Sequence, residues 1–240
     1  MRLRHVLAVT AGALVVAALA GESDTAVASR STCAAEAGNG GYTYAGHQAS
    51  ARGHGVRATI TPTRALQVAS GHVAGWVGVG GPGQGPNGED AWIQVGIASV
   101  QETDPYLYAE ITRGGRYPRL IVLDDSVQVG ESRDVGILEV AGKPGSWRVW
   151  LDGKPATAPV SLRGSSGRWA PIATAESWNG GQAACNEFAF RFEQVSVAHG
   201  SGGSWKPFVS GHRFLDSGYE LRALASTQAR SSTAFIAASS

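Results

Sequence analysis

Three stretches of the chain alternate strictly between aliphatic residues and a second set of aromatic, polar and glycine residues. They are Trp76-Val77-Gly78-Val79-Gly80-Gly81, Ala91-Trp92-Ile93-Gln94-Val95-Gly96-Ile97 and Tyr106-Leu107-Tyr108-Ala109-Glu110-Ile111. A period of two predicts β-strands, because successive strand side chains point to opposite faces. Val77, Val79, Ile93, Val95, Ile97, Leu107, Ala109 and Ile111 then share one face, which reads as a core side. Trp76, Gly78, Trp92, Gln94, Tyr106, Tyr108 and Glu110 share the other. If the strands lie in one sheet, that second face is an aromatic floor bearing one amide and one carboxylate. This is the chemistry of a groove for a peptide or a sugar chain.

Similar patterns recur on both sides of this block. Strands are predicted at 42–46, 56–62, 119–123, 136–141, 147–151, 160–162, within 169–178, 187–197 and around 219–224. Phe188, Phe190 and Phe192 fall on one face of the 187–197 strand. Asp152-Gly153 is the strongest hairpin signal in the chain. The Gly/Pro-rich loop from Gly80 to Gly88 lacks the G-x-x-x-x-G-K-[ST] pattern and reads as a surface loop edging the groove. No window outside the first residues shows a helical period. Many short strands divided by turn residues predict an all-β sandwich or barrel. The 240 residues fit one large domain.

Composition narrows the partner. Charged residues make up 16% of the chain and the net charge is +1, so nucleic acid is not an expected partner. Met1 to His5 is a basic stretch, Val6 to Ala20 is apolar, and Ala18-Leu19-Ala20 and Ala26-Val27-Ala28 offer cleavage sites. This pattern predicts a secretory signal, too short to span a membrane, and a secreted, extracellular protein with no membrane association after cleavage. In that oxidising setting the two cysteines, Cys33 and Cys185, are expected to pair. The six histidines show no metal-ligand spacing, sit in loop-like contexts and read as surface residues. No metal or cofactor is implied. A serine-hydrolase elbow is absent, as is the E-x-D-x-x-E arrangement of sandwich glycosidases. Trp147, Trp150 and Trp169 read as packing residues, whereas Trp76 and Trp92 are open to either groove-lining or core roles.

The ordered trio Trp76-Val77-Gly78-Val79-Gly80-Gly81, Ile93-Gln94-Val95-Gly96 and Leu107-Tyr108-Ala109-Glu110 resembles the glutamic peptidases, or eqolisins. The likeness covers about residues 40 to 200, with Glu110 sixteen residues after Gln94. It implies a concanavalin-like jelly-roll sandwich of two antiparallel sheets. It also implies a hydrolase in which a carboxyl group activates water while the Gln94 amide polarises the scissile carbonyl. The segment Ala175-Glu176-Ser177-Trp178-Asn179-Gly180 departs from the family's A-E-[WF]-I-x-E. Glu176 matches the first, non-catalytic glutamate, and Gly180 stands where the catalytic one is expected.

Gln94 is therefore open to three roles: catalytic amide, ligand-binding group or plain strand residue. The leading expectation is a monomeric groove protein that binds an extended polymer, peptide or polysaccharide, without the family's usual catalysis. The groove is expected to be concave and lined by Trp76, Trp92, Gln94, Tyr106, Tyr108 and Glu110. The alternatives are an active acid endopeptidase in which Glu110 or Glu176 substitutes for the missing acid, and a cell-surface interaction protein without enzymatic activity. The expected layout is a signal region at 1–28, a leader at 29–41, a sandwich domain at 42–224 and a disordered tail at 225–240.

Overall fold

The computed structural model of the protein describes residues 41–179, 186–224 and 233–240. Among them sixteen strands follow one another. They are β1 (Tyr42–Ala49), β2 (Gly55–Pro62), β3 (His72–Gly81), β4 (Ala91–Val100), β5 (Tyr106–Thr112), β6 (Arg119–Asp124), β7 (Arg133–Glu139) and β8 (Ser146–Leu151). Then come β9 (Lys154–Pro155), β10 (Val160–Ser161), β11 (Ile172–Trp178), β12 (Ala189–Gly200), β13 (Gly203–Pro207), β14 (Ser210–Leu215), β15 (Tyr219–Ala223) and β16 (Thr233–Ser239). Only a short 3-10 turn at Pro86–Gly88 interrupts the all-β pattern among the described residues. No helix there is long and apolar enough to cross a membrane.

The strands form two antiparallel sheets of a jelly-roll sandwich. The first runs β14-β1-β11-β3-β4-β5-β6. The second runs β10-β8-β7-β2-β12-β16-β15, with β13 continuing the β12 edge and β9 pairing with β8. The aliphatic face expected of the three organising strands is the core face: Val77, Ile93, Val95, Ile97, Leu107 and Ala109 are fully buried. Phe188, Phe190 and Phe192 meet them from the 187–197 segment and are equally buried. Close interdigitation of the two inner faces forms the hydrophobic core between the sheets.

Three parts of the layout differ from expectation. The segment 225–240 does not form a disordered tail throughout, because β16 enters the second sheet between β12 and β15. Phe235 on that strand is 1% exposed and stacks on Phe192 with ring centroids 4.6 Å apart. The small residues of this segment suit the strand: Ala237 opposite Phe190 fits beside a large ring. The sandwich therefore extends past residue 224. β13 and β14 lay hidden in a region expected to hold one strand, because their mostly exposed residues carry no apolar alternation. Finally, Asp152-Gly153 does make a tight turn, with φ of 49° and 75°, but its return strand is the two-residue β9. Val160–Ser161 pairs with the opposite end of β8. Cys33, Cys185, Gly180, the signal region and the leader up to residue 40 lie outside the described residues.

Candidate active site

The outer face of the first sheet carries a cavity of about 360 Å³. Its floor is set by register. Gly78 on β3 pairs with Gln94 on β4, and Gln94 pairs with Glu110 on β5. In the next row Trp76 pairs with Gly96, and Gly96 with Tyr108. All seven residues expected on the aromatic face thus share it. The W-V-G pattern has a steric reason. A Cβ on Gly78 would stand 2.9 Å from the Gln94 Cβ and 3.0 Å from Trp76 Cζ3, so glycine leaves the room in which amide and indole sit.

The members of the face have different surroundings. Gln94 is 8% exposed, and its Nε2 donates to the Tyr108 hydroxyl at 3.0 Å. Tyr108 is 3% exposed and packs with Ala74, Trp76 and Ala98, so it supports the floor from below instead of lining the groove. Tyr106 stacks edge-on against Tyr108 and also stands outside the cavity lining. Both depart from the expected groove-lining role. Trp76 and Trp92 do line the cavity. Trp92 donates its indole N–H to Glu110 Oε1 at 2.8 Å. The Trp76 N–H is buried with no partner among the described residues.

A second carboxylate joins from the side. Glu176 on β11 lines the same cavity, is 6% exposed, and lies 3.3 Å from Nε2 of His72. His72, expected on the surface, opens β3 and faces the groove. The signal available in the sequence was its place four residues before the alternating stretch, in phase with Trp76. The Glu176 row aligns with Ala74 and Ala98, four residues along β4 from Gln94. By strand geometry, Glu176 is therefore roughly 10 Å across the sheet and about 13 Å along it from Gln94, backbone to backbone. Tyr42, Tyr44 and Phe214 wall the far side, and Gly80, Gly81, Pro82 and Gln84 edge the near one, as expected for that loop. Trp169 both packs, stacked on Trp147, and lines the cavity while donating to the Gln84 carbonyl at 3.1 Å.

Electrostatics follow from burial. Glu110 is raised above the ordinary carboxylate value, chiefly by desolvation; the Trp92 N–H pulls it down and the Glu176 charge pushes it up. Tyr42 and Tyr44 are raised by burial and then by Glu176, so their hydroxyls stay protonated donors. No cluster of His, Cys, Asp or Glu suited to a metal ion occurs among the described residues. The site offers an oriented amide, a neighbouring carboxyl group that holds its proton above the usual range, and a second carboxylate paired with histidine. That set suits proton transfer to and from water together with polarisation of a carbonyl.

No protein-family profile matches the chain, and no curated protein matches it. Among solved structures it is similar to scytalido-glutamic peptidase with a transition state analog inhibitor. The identity is 14%, the alignment covers 82% of this chain and 98% of that chain, and the TM-score is 0.51. An eqolisin peptidase in complex with the tripeptide Ala-Ile-His matches at 15% identity over 82% and 97% of the two chains, with a TM-score of 0.47. The β-glucanase of Bacillus licheniformis matches at 15% identity over 55% of each chain, with a TM-score of 0.35. The first likeness establishes a common fold, the glutamic-peptidase jelly roll, over nearly the full length of that chain.

Proposed function

We propose that the protein is a secreted acid hydrolase of the glutamic type that binds an extended peptide in the groove of the first sheet and cleaves it there. The observation that carries this reading is the direct pairing of Gln94 with Glu110 across β4 and β5. A carboxyl group and an amide on neighbouring strands can serve one reacting carbonyl together. The Glu110 carboxylate takes a proton from water as the water oxygen bonds to the carbonyl carbon. The Gln94 N–H faces the charge that develops on the carbonyl oxygen. The protonated Glu110 then gives its proton to the leaving nitrogen as the carbon–nitrogen bond breaks. A carboxyl group with a raised pKa carries out both steps in mildly acidic solution. The nearby Glu176 charge favours the protonated form of Glu110, and His72 beside it partly offsets that effect.

Within this reading the protonated hydroxyls of Tyr42 and Tyr44, which line the cavity, are donors for the backbone of a bound chain. Retaining glycoside cleavage calls for two carboxyl groups only ~5 Å apart on either side of one bond, and the register separates Glu110 from Glu176 by far more at the backbone. A peptide is the better fit. The binding-only reading rested on Gly180 standing at the catalytic position; Glu110 beside Gln94 reduces its weight.

The test is digestion of an acid-denatured protein from pH 2 to 7 by the wild type and by Gln94→Ala, Glu110→Gln and Glu176→Gln. Cleavage lost in the first two and only weakened in the third supports the assignment. Cleavage lost in Glu176→Gln but kept in Glu110→Gln moves the acid–base role to Glu176. No cleavage at any pH, with peptide binding retained, returns the protein to the binding-only reading.

A further inference from the structure

The second sheet carries its own cavity, of about 410 Å³, on the face turned away from the core. Its construction follows from one row of the ladder, in which Arg57 on β2 pairs with Gly136 on β7, and Gly136 with Trp150 on β8. Alternation on β8 sends Trp147 and Val149 into the core, fully buried, and turns Trp150 outward. Trp150, read from the sequence as a packing residue, therefore lines an open trough. Trp205 on β13 lines the other side, with the Arg57 guanidinium 4.5 Å from its ring centroid.

Glycine makes the trough. A Cβ on Gly136 would stand 3.1 Å from the Cβ of Arg57, so any side chain there fills the space between Arg57 and Trp150. Strand spacing sets those two residues roughly 10 Å apart. The polar groups around the trough are in part unused. Among the described residues the Trp150 N–H is buried without a partner and Arg57 makes no ion pair. Asp134 accepts from the Thr59 hydroxyl at 2.5 Å and also lines the cavity. Gln194 reaches the cavity from a β-bulge in β12, where it holds a left-handed φ of 53°. Bulges re-aim side chains, and a non-glycine residue held at positive φ costs energy that the surrounding structure must sustain.

We propose that this trough is a second binding site, for a neutral oligosaccharide. Sugar rings present flat C–H faces that stack on indoles, and a rim of hydroxyls that both donate and accept. Trp150 and Trp205 supply the flat faces; the exposed Arg57 supplies donors; Asp134 supplies an acceptor and Gln194 both. An extended peptide is disfavoured here. The trough lies over β2 and β7, whose backbone groups are paired on both sides, so no free strand edge is present for main-chain hydrogen bonds. The site is separate from the groove on the first sheet, on the opposite face of the sandwich.

The experiment uses the full protein carrying Gln94→Ala, so that the front groove is catalytically silent. Cellohexaose, xylohexaose and chitohexaose are titrated calorimetrically, with a casein-derived peptide pool as a fourth probe. At least one hexasaccharide is expected to bind saturably. Trp150→Ala and Trp205→Ala should each weaken it tenfold or more, and Trp92→Ala should leave it unchanged. Arg57→Ala, at an exposed position, provides a variant whose folding is secure and should also weaken binding. Thermal melts confirm that the variants compared are folded. The proposal is overturned if no hexasaccharide binds, if binding follows Trp92 and ignores Trp150 and Arg57, or if only the peptide pool competes for the trough.

Discussion

Gln94 and Glu110 stand directly opposite each other across β4 and β5, yet each is held by a different aromatic residue. The amide donates to Tyr108, and the carboxylate accepts from Trp92. Two groups of one reacting set are thus oriented separately, each by its own aromatic neighbour, and both line the same cavity.

Removal of the amide tests this arrangement first. Gln94→Ala should lower kcat on a denatured protein substrate by about 10²–10³, the usual loss for one oxyanion donor. Tyr108→Phe keeps the floor but removes the hydroxyl that orients the amide, and should cost about 1 kcal/mol in transition-state stabilisation, a fall of roughly fivefold. A Tyr108→Phe enzyme as inactive as Gln94→Ala would mean that Tyr108 itself takes part in the chemistry.

Glu110 gives a pH signature. Its folded pKa lies above the ordinary value of 4.5, mainly through burial. Ionising it therefore costs stability in the folded protein and nothing extra in the unfolded chain. The cost is absent below the unfolded pKa, grows as pH rises through it, and is complete above the folded pKa. Glu110→Gln keeps an acceptor for the Trp92 N–H and cannot ionise. Its Tm should gain on that of the wild type as pH is raised from 4 to 7. A constant or shrinking difference would show that Glu110 is not held protonated by its site. Trp92→Ala removes a hydrogen bond that lowers the pKa and should extend the same trend to higher pH.

Much of this site was legible because alternation is a local property. Val77, Ile93 and Leu107 on one face and Trp76, Gln94 and Glu110 on the other follow from parity alone once the strands share a sheet. What parity cannot give is depth. Tyr108 and Trp92 have the same phase, but Tyr108 lies in the middle of a row between Gly96 and Val122 and is covered, while Trp92 near the groove edge is not. Nor can parity show which distant strands border the floor. β11 reaches β3 only through the fold, so His72 and Glu176 could not be joined from sequence. The same holds for Trp150, whose neighbours Arg57 and Trp205 lie 93 and 55 residues away along the chain. Exposed strands such as β14 lack alternation altogether, because neither of their faces needs to be uniformly apolar.

Gly78 links the sequence pattern to the geometry in a single position. Gly78→Ala puts a methyl group within 3.0 Å of both the Gln94 Cβ and the Trp76 ring. Overpacking of this kind costs typically 1–3 kcal/mol. Stability measured by urea unfolding should fall by that amount, and kcat should fall further than stability alone explains, since the amide is displaced from Tyr108. Wild-type activity in a destabilised Gly78→Ala protein would show that the amide's position is not critical.

The last strand offers a test of the fold itself. Phe235 lies in the core against Phe192, and β16 joins β12 to β15 by antiparallel ladders on both sides. Phe235→Ala removes a fully buried ring and should cost about 3–5 kcal/mol, a large share of a typical domain's stability. Truncation after Leu224 exposes one edge of β12 and one of β15 and leaves the Phe192 side of the core open to water. The truncated protein should be insoluble or fail to show a cooperative melt. The control is Ile236→Ser, which falls on the opposite phase of the strand and should cost less than Phe235→Ala. If truncation left the melting transition unchanged, β16 would be an appendage to the sandwich and the core would close without it.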